Sequence, residues 1–524
     1  MKPMYFLTTL CMAVCMMSCT PKDDNQNTHR APLKNPTRVT LEQVPFTATV
    51  NVTWQDNCDN EVGYEVYVKT NNGDPNLLVT LAADTQSYTI ESGLNQGQAY
   101  SIGIRALSNG SVVSSQVIYK EIALFDYTQL PVATLLDEVV STPTSAMLKY
   151  NFKQSDKYPV SDWGLCWSAE HEPTVEDGHA SGPLNSKIPI VQAISNLDME
   201  YGKTYKVRAY LTTEHGTTYS NSVDASLGEE PKAITLAWEK VENADLPSDI
   251  VLYKTTQEFN GRPFNAWYAI ADVTKGNVEF RMEFSSTAKT LENFYSDGNC
   301  IMTNAGYFNM ATGVTGDYHV DAGVLYPSSA SSTLRGTFGV DQDQVPAVLW
   351  SAKTTTGDTY YYNAPMMNLV GYNTYAPMSE IYPYQSIEWR PYYAMAAGPL
   401  LVKDGKIVID LTSENGTLVR NYESIASDIF TTATPDRTCV GYTEDGKIIL
   451  FICDGRITVS KGANILEAAQ IMKGLGCVGA VNFDGGGSTA MTVYGKRINS
   501  LLSNTSGGTE NRPVGSVMGF YKKN

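Results

Sequence analysis

The residues from Val478 to Met491, VGAVNFDGGGSTAM, set an acid against a run of bare backbone. Val478 to Phe483 has the length and β-branched content of a buried strand. It ends at Asp484, and Gly485, Gly486 and Gly487 then lead into Ser488 and Thr489. Glycine reaches positive φ and carries no Cβ, so successive N–H groups can turn toward one anion. A carboxylate beside such a nest suits a site that meets a sugar and a phosphate together. The plain alternative is a tight glycine turn between two core strands.

The elements on either side decide what shares that site. Lys447 to Cys453 reads as a second apolar strand, ending in Asp454-Gly455-Arg456. Between the two strands, Ile465, Ala468, Ala469, Met472 and Leu475 recur at helical spacing, with Asn464 as N-cap and Gly474 and Gly476 as stops. Strand, helix, strand predicts a crossover that returns the chain parallel. Both strands then end on one edge of the sheet. That places Asp454, Arg456, Asp484 and the glycine loop on one rim, where open α/β sheets bind ligands.

Other chemistries lack their residues. The last domain holds a single histidine, His319, on which any His-based zinc site or Ser-His-Asp triad would depend. Gly486-Gly487-Ser488-Thr489-Ala490 has alanine where a nucleophile elbow needs its final glycine. There is no Walker loop and no dinucleotide fingerprint. Acid, amide and guanidinium groups remain.

Five short motifs occur in order: Asn304-Ala305-Gly306-Tyr307-Phe308, Gly398-Pro399-Leu400, Arg437-Thr438, Asp454-Gly455-Arg456 and Asn482 to Thr489. Together they resemble the phosphodiester glycosidase family, over roughly residues 232–524. The resemblance implies removal of a sugar, N-acetylglucosamine among the candidates, from a sugar-1-phosphodiester. A phosphorylated glycan or cell-envelope polymer would be the substrate. It implies catalytic carboxylates at Asp484 and Asp454, with Asp454 alternatively only orienting Arg456, and Glu510 as a third acid. Arg437, Arg456 and Arg512 become candidate phosphate clamps. Asn304, the amides of Gly485 to Gly487, Ser488 and Thr489 become candidate contacts to sugar hydroxyls or phosphate oxygens. The chemistry is consistent with this: a phosphate leaving group is already stabilised as an anion, so guanidinium and N–H groups can replace much of the general acid. Nucleophile and base are not distinguished, and a surface protein that binds glycans without cleaving them is the alternative. No cofactor is implied. Asp317, Asp321, Asp341 and Asp343 could offer oxygen ligands to calcium, but their spacing misses the EF-hand pattern and no metal ligand is assigned.

The rest of the chain presents and anchors this domain. At 524 residues it is too long for one ordinary domain. A net charge of −17 argues against nucleic acid or an anionic membrane surface as a general partner. Residues 1–19 read as a lipoprotein signal, with Lys2, an apolar run from Phe6 to Met17, and Ser18-Cys19; Cys19 would carry the lipid. Lys22-Asp23-Asp24 resembles a tag for surface export in a Gram-negative envelope, so the only membrane contact expected is the anchor. Residues 20–36 form a tether. Residues 37–126 and 127–227 resemble fibronectin type III sandwiches, with Leu94 and Tyr100 forming a tyrosine corner in the first. In the second, Leu197 and Tyr205 stand two residues further apart. Residues 232–524 are expected to be a mixed α/β or α+β catalytic domain. Nine tyrosines and Trp389 between Tyr360 and Tyr393 would line a sugar cleft or cover a sheet face. Six cysteines lie beyond the signal, scattered without C-x-x-C spacing, and a bridge among Cys300, Cys439, Cys453 and Cys477 stays open.

Overall fold

The computed structural model describes residues 31–70, 73–182, 189–315, 318–326, 334–353, 358–364, 386–409, 411, 413–414, 417–418, 423, 433–503 and 509–523. The signal region and residues 365–385 of the tyrosine-rich stretch lie outside this set. The chain divides into two compact units, Met1–Gln129 and Leu130–Asn524.

In the first unit, valines and Trp54 alternate inward along Val50–Gln55 with polar residues outward, the period-2 pattern of a half-buried strand. Three strands, Thr37–Gln43, Val50–Gln55 and Ser87–Ile90, face four others, Asn76–Ala82, Gly63–Thr70, Ala99–Leu107 and Ile118–Ala123. Trp54, Tyr64, Ile102 and Ile104 fill the space between them. The Tyr100 hydroxyl accepts the Asn95 N–H at 2.9 Å, closing the tyrosine corner.

The second unit begins with another three-plus-four sandwich of the same strand order. Here Tyr205 accepts the Glu200 N–H at 3.1 Å, the same five-residue reach. Met199, fully buried, takes the place of Leu94 and restores the spacing that Leu197 breaks. Leu197 points elsewhere: with Met147 and Val191 it packs into the core of the last domain. Asn196 Nδ2 donates to the Ile407 carbonyl at 2.7 Å, and Lys406 Nζ returns a bond to the Asn196 carbonyl at 2.6 Å. This sandwich and residues 232–524 therefore share one hydrophobic core.

The last domain is more β than the mixed α/β expectation. It holds three antiparallel sheets of eight, five and six strands, and one α-helix among the described residues. The elements that position the site are β1 (Asn299–Asn304), β2 (Arg437–Thr443), β3 (Ile448–Cys453), α1 (Ile465–Gly474), β4 (Cys477–Asn482) and β5 (Met491–Val493). Every residue of β3 is buried, because the sheet is covered on both faces. Ile448, Leu450 and Ile452 face the other sheets, whereas Ile449, Phe451 and Cys453 face α1. Asn464 caps α1 as expected, and Glu467 completes a capping box with it. Gly474 ends the helix where the Ile234 carbonyl leaves no room for a Cβ.

The crossover does not make neighbours of its strands. β2 lies between β3 and β4, antiparallel to both, so β3 and β4 run parallel to each other but do not pair. Their ends still share one edge, since Arg437 pairs with Cys453 and Cys439 with Asn482. Among the described residues no helix is long and apolar enough to cross a membrane.

Candidate active site

Beyond β4 the chain leaves the eight-stranded sheet, runs through the glycine loop and enters the five-stranded sheet as β5. Asn304, at the end of β1, holds both ends of that passage. Its Nδ2 donates to the Asp484 carbonyl at 2.6 Å, and its Oδ1 accepts from the Ala490 N–H at 3.2 Å and the Thr438 hydroxyl at 2.7 Å. Asn304 is fully buried, so the structure assigns it to the loop's scaffold and not to a surface that meets sugar hydroxyls.

Asp484 opens the loop, its N–H on the Ala305 carbonyl at 3.1 Å. Burial pushes its carboxyl up to about 6, against the smaller opposing pull of the Ser488 hydroxyl, the Arg512 charge and the Gly485 N–H. The residue as a whole is half-buried. Ser488 Oγ is buried nearby, on the side of the Asp484 carboxyl. Arg512 is placed where its charge acts on Asp484.

The loop also packs on Asp436, an acid outside the five motifs. It is fully buried, and its Oδ2 receives Arg456 Nε at 3.0 Å and an Arg456 terminal nitrogen at 2.8 Å. Its Oδ1 accepts the Gly455 N–H at 2.5 Å, and its carbonyl accepts the Gly486 N–H at 3.0 Å. Burial raises this carboxyl too, to about 6, although Arg456 pulls the other way. Arg456 itself takes a left-handed φ of 55°, and its guanidinium lies 3.0 Å from where a Cβ on Gly486 would sit. The only signal for Asp436 in the sequence was its place directly before the Arg437-Thr438 pair.

The remaining candidates fall into place around these two acids. Asp454 is buried and does not orient Arg456: it accepts Asn499 Nδ2 at 3.1 Å and the Ser500 N–H at 3.4 Å, a bracket on the loop after β5. Arg437 is also buried, with Nε on the Ala463 carbonyl at 2.9 Å and a terminal nitrogen on the Ala433 carbonyl at 3.2 Å. Its guanidinium thus holds two backbone carbonyls and is buried, unlike that of Arg456, whose side chain is 40% exposed. Thr489 is buried against Thr438, their hydroxyls 3.3 Å apart. The loop's amides are not an open nest. Those of Gly486, Ser488 and Thr489 are bonded to backbone carbonyls, and that of Gly485 acts on the Asp484 carboxyl, which leaves the Gly487 N–H without a partner among the described residues. Gly485 is required for another reason, since a Cβ there would sit 2.7 Å from the Asp436 carbonyl oxygen. Glu510 lies on a two-residue strand paired with Leu502–Ser503, and its side chain is outside the described set.

The Gly398-Pro399 motif joins from the six-stranded sheet through a cis peptide bond. The Gly398 carbonyl accepts the Tyr307 hydroxyl at 2.7 Å and Asn482 Nδ2 at 3.1 Å. Glu423, buried, receives the N–H groups of Gly336 at 2.8 Å and Leu400 at 2.7 Å, and fills the space a Cβ on Gly398 would need. Residues of all five motifs thus lie around the end of β4 and the glycine loop.

Asp317 lies outside the described residues, and Asp341 caps its own turn through the N–H groups of Asp343 and Val345, both at 2.9 Å. Cys300, Cys439, Cys453 and Cys477 are free, buried thiols. Of the described aromatics, Tyr361, Tyr362 and Tyr393 are buried, and Trp389 packs edge-on against Tyr361 with centroids 5.0 Å apart, so these cover a sheet face.

Residues 298–521 match the sequence model of the phosphodiester glycosidase family. N-acetylglucosamine-1-phosphodiester alpha-N-acetylglucosaminidase from Mus musculus is 31% identical over 114 residues, covering 20% of this chain and 20% of that protein. The Bos taurus enzyme of the same name is 24% identical over 212 residues, covering 40% of this chain and 34% of that protein. The chain thus spans between a fifth and about a third of the length of these relatives. The solved catalytic domain of the zebrafish enzyme overlays with a TM-score of 0.37 at 19% identity, covering 55% of this chain and 89% of that one.

Proposed function

We propose that the chain is a hydrolase that removes a sugar from a sugar-1-phosphodiester by breaking the bond between C1 and oxygen. The observation that carries this reading is the pairing of unlike groups across one bare loop. Asp484, with its raised carboxyl, feels the Arg512 charge at one end, and Arg456 lies over Gly486 at the other. Above pH 6 the Asp484 carboxylate supplies negative charge to a C1 that becomes positive as the bond breaks. Arg456 is locked by Asp436 yet its side chain is 40% exposed, so it can take a phosphate oxygen without being drawn from solution. Arg512 offers a second positive charge beside the acid. The buried Ser488 hydroxyl and the Gly487 N–H are the neutral donors beside the acid for sugar or phosphate oxygens. Because the leaving group is already an anion, no neutral acid is needed on its side. The family match over residues 298–521 supports the same reading, and the names of the relatives make N-acetylglucosamine the first sugar to try.

The test is turnover of a panel of sugar-1-phosphodiesters in water enriched in heavy oxygen. Label in the released sugar is expected. Label in the phosphate would assign a phosphodiesterase, and no turnover across the panel would leave the glycan-binding alternative.

We also propose that the protein is exported and held by a lipid on Cys19 at the surface of a Gram-negative envelope, on the strength of the apolar run, Ser18-Cys19 and the acidic residues after it. A Cys19→Ala variant should lose lipid labelling and move to the soluble fraction; retention in the membrane fraction would remove the anchor.

A further inference from the structure

A second constellation lies in the first unit, in the loop that follows Val50–Gln55. Asp56, Cys58 and Glu61 each bring one ligand atom to within 4.8 Å of the others. Glu61 is only 7% exposed. Its Oε1 accepts the Asp84 N–H at 3.0 Å, but its Oε2 is buried with no hydrogen-bond partner among the described residues. Asp56 is held in place by the Cys58 N–H at 2.8 Å and by the Tyr64 hydroxyl, both on Oδ1. Cys58 Sγ sits 3.2 Å from the Lys34 carbonyl oxygen. No lysine or arginine among the described residues forms an ion pair with either carboxylate.

A buried carboxylate oxygen without a donor is costly, and such groups are normally paired or bound to a metal. Two carboxylates and a thiol form a donor set that wants a cation, and the thiol selects its class. Calcium and magnesium take oxygen ligands, whereas zinc takes thiolate and carboxylate together. Tetrahedral zinc, with Zn–S near 2.3 Å and Zn–O near 2.1 Å, needs donors about 3.6 Å apart, which modest torsions can reach from here. Outer contacts of the required kind are already present, since Tyr64 orients Asp56 and the Asp84 N–H orients Glu61.

We propose that Asp56, Cys58 and Glu61 bind one zinc ion, with the Lys34 carbonyl as the candidate fourth donor. The thiol proton passes to solvent as the thiolate binds. The ion would clasp the segment around Lys34 to the loop, where Asn57 Nδ2 already reaches the Asn35 carbonyl at 2.8 Å. Cys58 suits this role because it alone among the six described cysteines is not fully buried.

The test is titration of the reduced, chelator-treated full chain with cobalt(II) as a spectroscopic probe, then with zinc. One equivalent of cobalt should give a thiolate-to-metal charge-transfer band that Cys58→Ser removes, and zinc should displace it. Glu61→Gln keeps an acceptor for the Asp84 N–H and should weaken affinity at least about tenfold. In the unsubstituted protein, zinc should protect Cys58 from alkylation as read by peptide mass, which decides the matter even if a variant misfolds. A band that survives Cys58→Ser, an affinity unmoved by Glu61→Gln, alkylation indifferent to zinc, or equal competition by calcium would each overturn the assignment.

Discussion

Asp484→Asn should lower kcat about a hundredfold or more on a sugar-1-phosphodiester, the usual scale for a positioned acid–base or nucleophilic carboxylate. KM should move little if the charge acts mainly on the transition state. The same substitution should raise thermal stability at neutral pH, and the sign follows from the carboxyl's environment. Burial lifts its pKa from 3.8 to about 6 in the folded chain. Between those values the folded protein holds a proton that the unfolded chain has released. Stability linked to Asp484 is therefore greatest below the lower value, falls as pH rises toward 6, and stays at its reduced level above. A shift of that size corresponds to about 3 kcal/mol as an upper figure. Asparagine has no charge to desolvate, so the variant's Tm should exceed that of the unsubstituted protein at pH 7, and the gap should close toward pH 4. Activity should rise through pH 6 in the unsubstituted protein. Melting curves and kcat measured together decide it: normal kcat in a folded variant would make Asp484 structural and turn attention to Glu510.

What the sequence reveals here is what local chemistry governs. A run such as Ile448–Cys453, apolar at every position, is legible as a strand covered on both faces, and the Asn464 cap is legible because an amide before a helical apolar stripe satisfies free N–H groups. The shared rim followed from the direction of β3 and β4. Their neighbours did not, because nothing in a strand–helix–strand pattern says that β2, which precedes them, will be inserted between them. Arg437 shows the same limit in a side chain. A cation beside an acid at a strand start looks ligand-facing, yet two carbonyls, of Ala433 and Ala463, draw it inward. Leu197 and Met199 differ only in which core each faces, and that is set by a domain contact far away in sequence.

Asp436 is the larger omission, and Asp436→Asn should separate positioning from chemistry. Asparagine can still accept the Gly455 N–H through its Oδ1, but Arg456 loses the charge that holds both of its nitrogens. The pairing is not retained for stability. The Asp436 carboxyl is raised to about 6 despite Arg456, so desolvation outweighs the attraction, and the charged form makes the folded state less stable as pH rises from 3.8 toward 6. The variant should accordingly melt at or above the temperature of the unsubstituted protein at pH 7. Its catalytic defect should appear in substrate binding. With Arg456 on a left-handed backbone and no longer anchored over Gly486, KM for the phosphodiester should rise about ten- to a hundredfold, in line with loss of a charge-assisted bond to phosphate. A simple aryl glycoside presents no anion and should be hydrolysed with nearly unchanged KM. Arg456→Ala should reproduce that split, and the double variant should add little to either single one, since the two residues act as a unit. Equal losses on charged and neutral substrates would show that Asp436 acts on C1 itself, and additive losses in the double variant would show that Arg456 reaches substrate without it.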